Sequence, residues 1–135
     1  MLWNISYSMV EMVMRLKEYQ IKSRKTAIYP TLELPLKPYK RADRVAMGFL
    51  YPALGLAGEA GEVLENIKRI IRDDEGNITE ERRAKIEKEL GDVGWYWAQL
   101  ATEFGLNLDD IAKNNLIKLQ SRLKRNKIKG DGNNR

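Results

Sequence analysis

Between about Ala42 and Phe104 the chain carries two long apolar runs at helical spacing, parted by a single turn signal, "DDEGN" at 73–77. Apolar side chains recurring every three or four residues give a helix one side to bury, and a short turn folds consecutive helices back on each other. An antiparallel helical hairpin is therefore the centre of the expected fold. Its first arm spans about Ala42 to Arg72, with Pro52 either kinking it or opening its longer half. Asn77 or Thr79 caps the second arm, which carries Glu80 and Glu81 in its first turn and stops near Gly105.

Two further helices are expected. One runs from about Ser6 to Ser23, with Met9, Val10, Val13, Leu16 and Tyr19 on a common side. The other follows an Asn107 cap from about Leu108 to Arg125, before the polar tail "NKIKGDGNNR". "TAIYPTLELPLKPYK" is a loop, because Pro30, Pro35 and Pro38 forbid regular helix. No stretch shows strand alternation between hairpin turns, so the fold class is all-α, a four-helix-type bundle.

With 135 residues, 43% of them hydrophobic, the chain suits one domain, residues 1–128, followed by a tail, 129–135. It has no cysteine and no histidine, so any metal must be held by oxygen ligands, which points toward Mg²⁺, Mn²⁺ or Ca²⁺. The N-terminal stretch carries Glu11 and Arg15 and lacks a signal-peptide pattern, and no run is long and apolar enough to span a membrane, which fits a cytoplasmic protein. The net charge of +5 is concentrated at one end: residues 111–135 hold eight Lys or Arg against one acid. Such an end suits anionic partners: nucleic acid, an anionic surface or the phosphates of a small ligand.

The stretch "GLAGEAGEVLENIKRI" sets Gly55, Gly58 and Gly61 inside a helix, at a combined cost on the order of 2–3 kcal/mol relative to alanine. Close approach of a backbone or ligand at Gly58 and Gly61, and at Gly91 and Gly94 in the next helix, would account for it. Helical projection groups Leu56, Val63, Leu64, Ile67 and Ile71 on one face, with Glu59, Glu62 and Asn66 on its border. In the next helix Ile86, Leu90, Val93, Trp97, Leu100 and Phe104 form the face, bordered by Glu89, Asp92, Tyr96 and Gln99. A single E-x-x-E pair is usually only a solvated surface. Two acidic borders on paired helices instead bring four carboxylates together, a repulsive arrangement that a divalent cation relieves.

At these residues the chain resembles the MazG-like all-α nucleoside triphosphate pyrophosphohydrolases, which pair E-x-x-E on one helix with E-x-x-D on the next. The matching segments are "GEAGEV" (Glu59, Glu62) and "KELGDVGWYWAQLA" (Glu89, Asp92), with "EYQ", "TAIYP" and "NLIKLQSRLKR" in the same order. One position departs: many members double the first acid, and here Gly58 stands there. The resemblance implies Mg²⁺-dependent cleavage of nucleoside triphosphates between the α and β phosphates, serving to clear unwanted nucleotides. It implies metal binding by Glu59, Glu62, Glu89 and Asp92, with Glu59 the base that accepts the proton of the attacking water and Glu62 a catalytic partner. It assigns phosphate contacts to Asn115, Lys118, Arg122 and Lys68, and implies assembly as a homodimer or homotetramer. Tyr96, one turn from Asp92 on the acidic side, is placed either to stack on a base or to satisfy its hydroxyl at the core edge. The strongly apolar first helix also points to self-association.

Three alternatives stand beside this reading. Phosphoribosyl-ATP pyrophosphohydrolases share the architecture and cleave the same kind of bond, a helical protein binding nucleic acid through its basic end would need no metal, and a helical-bundle interaction protein would carry its acids only as a solvated face.

Overall fold

The computed structural model describes residues 14–29 and 46–132. Among the described residues there are four α-helices: α1 (Leu16–Ser23), α2 (Leu50–Arg72), α3 (Glu80–Glu103) and α4 (Leu108–Lys124), with 3₁₀ turns at Arg24–Thr26 and Ala46–Phe49. There is no strand among the described residues, so the fold is all-α as the sequence predicts. None of these helices is long and apolar enough to cross a membrane.

The caps explain where the helices begin. Thr79 Oγ1 accepts the Arg82 N–H at 3.1 Å and Asn107 Oδ1 accepts the Asp109 N–H at 2.8 Å. Each satisfies one of the donors that the first turn leaves without a helical partner. Pro52 is the third residue of α2, where its missing N–H is no loss, so it opens the helix and does not kink it. At the end of α3, Gly105 takes φ +64°, and Leu106 N–H reaches back to the Ala101 carbonyl at 2.8 Å. This left-handed close favours a residue without a Cβ.

α1 is shorter than its apolar spacing suggests. Arg15 is extended, at φ −76° and ψ 152°, so the helix begins at Leu16; residues 6–13 of the expected helix lie outside the described residues. Its start is capped from another helix, with Asp109 Oδ1 accepting the Lys17 N–H at 3.1 Å. The buried side chain of Gln20 then holds three segments at once. Its amide nitrogen donates to Thr102 Oγ1 at 3.0 Å and to the Leu106 carbonyl at 2.8 Å, and its oxygen accepts the Leu108 N–H at 3.1 Å. Beside it, Gln99 is fully buried and donates to Ser23 Oγ at 3.0 Å. The apolar core is small: Ala98, Ala101 and Leu108, flanked by Tyr19, Trp97 and Ile111.

α2 and α3 pack antiparallel along most of their lengths. The register is set by Asn66 against Arg82 (3.2 Å), Gly55 against Tyr96 and Gly48 against Glu103. The buried line of α2 differs from the projected face. It passes through Pro52, Asn66 and Ile70, with Leu56, Glu59 and Val63 half-buried, while Leu64, Ile67 and Ile71 are exposed. On α3, Leu90 and Phe104 are exposed and Ala98, Gln99 and Ala101 are buried. The projection differs because it ranks faces by hydrophobicity, without knowing which face the partner helix meets. Here small and polar side chains line the seam and leave large aliphatic ones outside. The glycines divide in an unexpected way too. A Cβ on Gly55 would lie 2.1 Å from the Tyr96 ring, whereas nothing lies within 4 Å of one on Gly58, Gly61, Gly91 or Gly94.

That contrast is measurable by denaturant unfolding. Gly55→Ala should lose about 1–3 kcal/mol through overpacking against Tyr96. Gly91→Ala, entering open space in a helix interior, should gain about 0.5–1 kcal/mol.

Candidate functional site

Three carboxylates meet where α2 and α3 face each other. Glu59, Glu89 and Asp92 each offer an oxygen within 4.8 Å of the other two. The spacing follows from the register: Glu89 and Asp92 stand one turn apart on α3, and the antiparallel seam carries Glu59 to the same level. Glu59 and Glu89 are half-buried and Asp92 is exposed, so the cluster opens to solvent on one side.

The electrostatics are unusual for this surface. Glu65, Asp73, Asp74, Glu80 and Glu81 each pair with a neighbouring Arg or Lys. Among the described residues no Lys or Arg pairs with Glu59, Glu89 or Asp92. Burial pushes the Glu59 carboxyl above the usual carboxylate range, and the charges of Asp92, Glu89 and Glu62 push it further. Acids held together without a cation of their own suit a hard divalent ion, which takes carboxylate oxygens and keeps water on its open side.

Glu62 lies outside this trio. It is exposed, and its backbone carbonyl accepts the Asn66 side-chain amide at 3.0 Å. It contributes to the field at Glu59 without joining the mutual contact of the other three.

Tyr96, one turn beyond Asp92, borders the cluster. Burial raises its hydroxyl pKa first, then a hydrogen bond with Tyr51, then the charges of Tyr51, Glu59 and Asp92. The Tyr19 hydroxyl is likewise raised by burial and by Asp92, which brings α1 to the edge of the same site. Tyr96 belongs to an aromatic group that sequence reasoning did not assemble. Tyr51 lies 6.3 Å from it and Trp95 5.0 Å, edge-on, while Tyr29 stacks on Tyr51 at 5.3 Å. "TAIYP" and "WYW" were both legible, but their meeting depends on how the segment after α1 returns across α3.

The basic residues assigned by resemblance are more dispersed. Lys68 is exposed and pairs with Glu65. Asn115 and Lys118 are exposed on α4. Arg122 is 5% exposed, with a guanidinium nitrogen 3.5 Å from the Gly132 carbonyl, so the C-terminal tail folds against it. No contact among those described joins these four residues to the carboxylates.

Comparison with known proteins places this hairpin in context. Residues 51–126 match the family model described as the MazG nucleotide pyrophosphohydrolase domain. The chain is 44% identical over 117 residues to "Gene 37 protein" of Mycobacterium phage L5, covering 87% of this chain and 96% of the phage protein. No solved structure gives a significant match.

The raised Glu59 carboxyl fixes the sign of a pH effect. Folded protein takes up this proton more readily than unfolded protein, so the associated stability is present below the ordinary carboxylate pKa and is lost as pH rises through the raised value. In thermal melts without divalent ions, Glu59→Gln should therefore melt a few degrees above the parent at neutral pH, and the gap should close towards about pH 4. Added Mg²⁺ should raise the melting temperature of the parent and leave Glu59→Gln and Asp92→Asn nearly unmoved.

Proposed function

Since this chain belongs to the MazG nucleotide pyrophosphohydrolase family, we propose that it hydrolyses nucleoside triphosphates, NTP or dNTP, between the α and β phosphates, releasing nucleoside monophosphate and pyrophosphate. The observation that carries this reading is the convergence of Glu59, Glu89 and Asp92 on the hairpin that matches the family. These three would hold Mg²⁺, or Mn²⁺ in its place, and the ion supplies charge to offset the phosphates and to activate water. Glu62 stands at the open side as a fourth acid.

Glu59, the half-buried acid that α2 contributes to the cluster, is the group to take the proton from the attacking water. Tyr96 offers a ring to the base beside the carboxylates. Asn115 and Lys118 on α4 and Lys68 on α2 are the phosphate contacts. Arg122 joins them as a bidentate fork once the tail at Gly132 gives way to substrate. Clearance of unwanted nucleotides in the cytoplasm is the role that fits this chemistry.

Self-association as a homodimer or homotetramer is part of the same reading. Leu54, Leu64, Ile67 and Ile71 on α2 and Leu90 on α3 are all exposed, a larger apolar surface than a lone chain of this size keeps in water. The open Gly58 and Gly61 leave room beside it for a second backbone.

Purified protein incubated with a panel of NTPs and dNTPs should release monophosphate and pyrophosphate only when Mg²⁺ or Mn²⁺ is present. Glu59→Gln should slow turnover at least about a hundredfold. Turnover of phosphoribosyl-ATP alone would assign the histidine-pathway reaction instead. Salt-sensitive binding to nucleic acid with no hydrolysis would remove the enzymatic reading.

A further inference from the structure

We propose that Glu103 is a positioning residue for this site, holding Tyr96 in place from two turns away through Tyr29 and Tyr51. The inference rests on reading Glu59, Glu89 and Asp92 as the reactive centre. Glu103 ends α3, and its side chain is 16% exposed. Arg24 and the Tyr29 hydroxyl both donate to the same carboxylate oxygen, Arg24 at 2.7 Å, and Arg24 also donates to the Tyr29 oxygen at 2.6 Å. The backbone at Gly48 passes so close that a Cβ there would lie 2.6 Å from the other Glu103 oxygen. One carboxylate thus ties the segment after α1 and the approach to α2 onto the end of α3.

From that anchor the contacts run back towards the carboxylates. The Tyr29 ring lies nearly parallel to Tyr51, with 12° between their planes, and meets Trp95 edge-on at 6.2 Å. The Tyr51 ring meets Tyr96 at 6.3 Å, tilted by 44°, while Trp95 packs edge-on against the Tyr96 ring and Gly55 receives it from α2. Glu103 and Tyr96 stand seven residues apart on one helix, about 10 Å along its axis, and make no contact of their own. Removing the carboxylate would leave Arg24 without its anion and Tyr29 without its acceptor. The stack on Tyr51 would lose its fixed side, and with it one of the walls that define where Tyr96 sits.

A nucleotide-facing ring that loses its support weakens binding more than chemistry. Glu103→Ala should raise KM for the preferred nucleotide about tenfold and change kcat less than about twofold. The Mg²⁺-induced rise in melting temperature should persist, because the carboxylates stay in place. Glu103→Gln, whose amide oxygen still accepts from Tyr29, should recover most of the loss. In a Tyr96→Ala background Glu103→Ala should add nothing further. A KM effect that persists there in full, or a Mg²⁺ response that falls together with KM, would overturn the proposal and leave Glu103 a simple strut. If the parent hydrolyses no nucleotide, the functional reading fails by itself, and the relay is read from Trp95 fluorescence in a Trp3→Phe, Trp97→Phe chain. There Glu103→Ala and Tyr29→Phe should shift the emission alike; a spectrum that neither moves would overturn the relay.

Discussion

The antiparallel pairing of α2 with α3 sets the position of nearly everything else in this protein. Its seam is lined by small and polar side chains, so the two helices are held in register by shape and hydrogen bonds as much as by apolar burial. Gly55 admits the Tyr96 ring, Asn66 meets Arg82, and Arg82 in turn holds Asp74 of the connecting turn at 2.9 Å. Within that register Glu59 cannot avoid Glu89 and Asp92. The repulsion is therefore built into the same contacts that define the fold, and a helix shift that relieved it would break the Gly55 notch and the Asn66–Arg82 bond together.

The second constraint is polar. Gln20 and Gln99 lie at the junction of α1, α3 and α4, where an apolar core would ordinarily sit. A buried amide has directional needs that a leucine does not, and leaving any of them unmet is costly. The result is one orientation of α1 against α3, which brings Tyr19 to the edge of the carboxylates and Tyr29 to the aromatic group.

Caps and the connecting turn were legible from sequence because each depends on local chemistry: Asn107 as a cap and Gly105 as a stop outright, the other cap as Asn77 or Thr79, and Pro52 as either a kink or an opener. The E-x-x-E and E-x-x-D pairs were legible as well, and three of their four acids converge. Helical projection assigned Leu64, Ile67 and Ile71 to the interior, since it knows hydrophobicity but not which neighbour a face will meet. It likewise gave no sign that Glu62 would sit apart from the trio, because the register between two helices is not contained in either one. The burial of Arg122 under the tail and the meeting of Tyr29 with Tyr51 depend on contacts distant in sequence or on a chain reversal, and no local pattern announces them.

The reach of the Gln20 contacts carries a kinetic consequence. Its hydrogen bonds to Thr102, Leu106 and Leu108 span 82, 86 and 88 residues, and the Tyr29 to Glu103 bond spans 74. The α2–α3 hairpin closes over one short turn, and contacts between near neighbours in sequence form before those that must first close a long loop. By this ordering the hairpin brings together the carboxylates and the rings of Tyr51, Trp95 and Tyr96 first, and α1 docks afterwards, carrying Tyr29 with it. A chain caught between those two events would already concentrate negative charge at the hairpin while Tyr51 still lacked the Tyr29 ring that stacks on it.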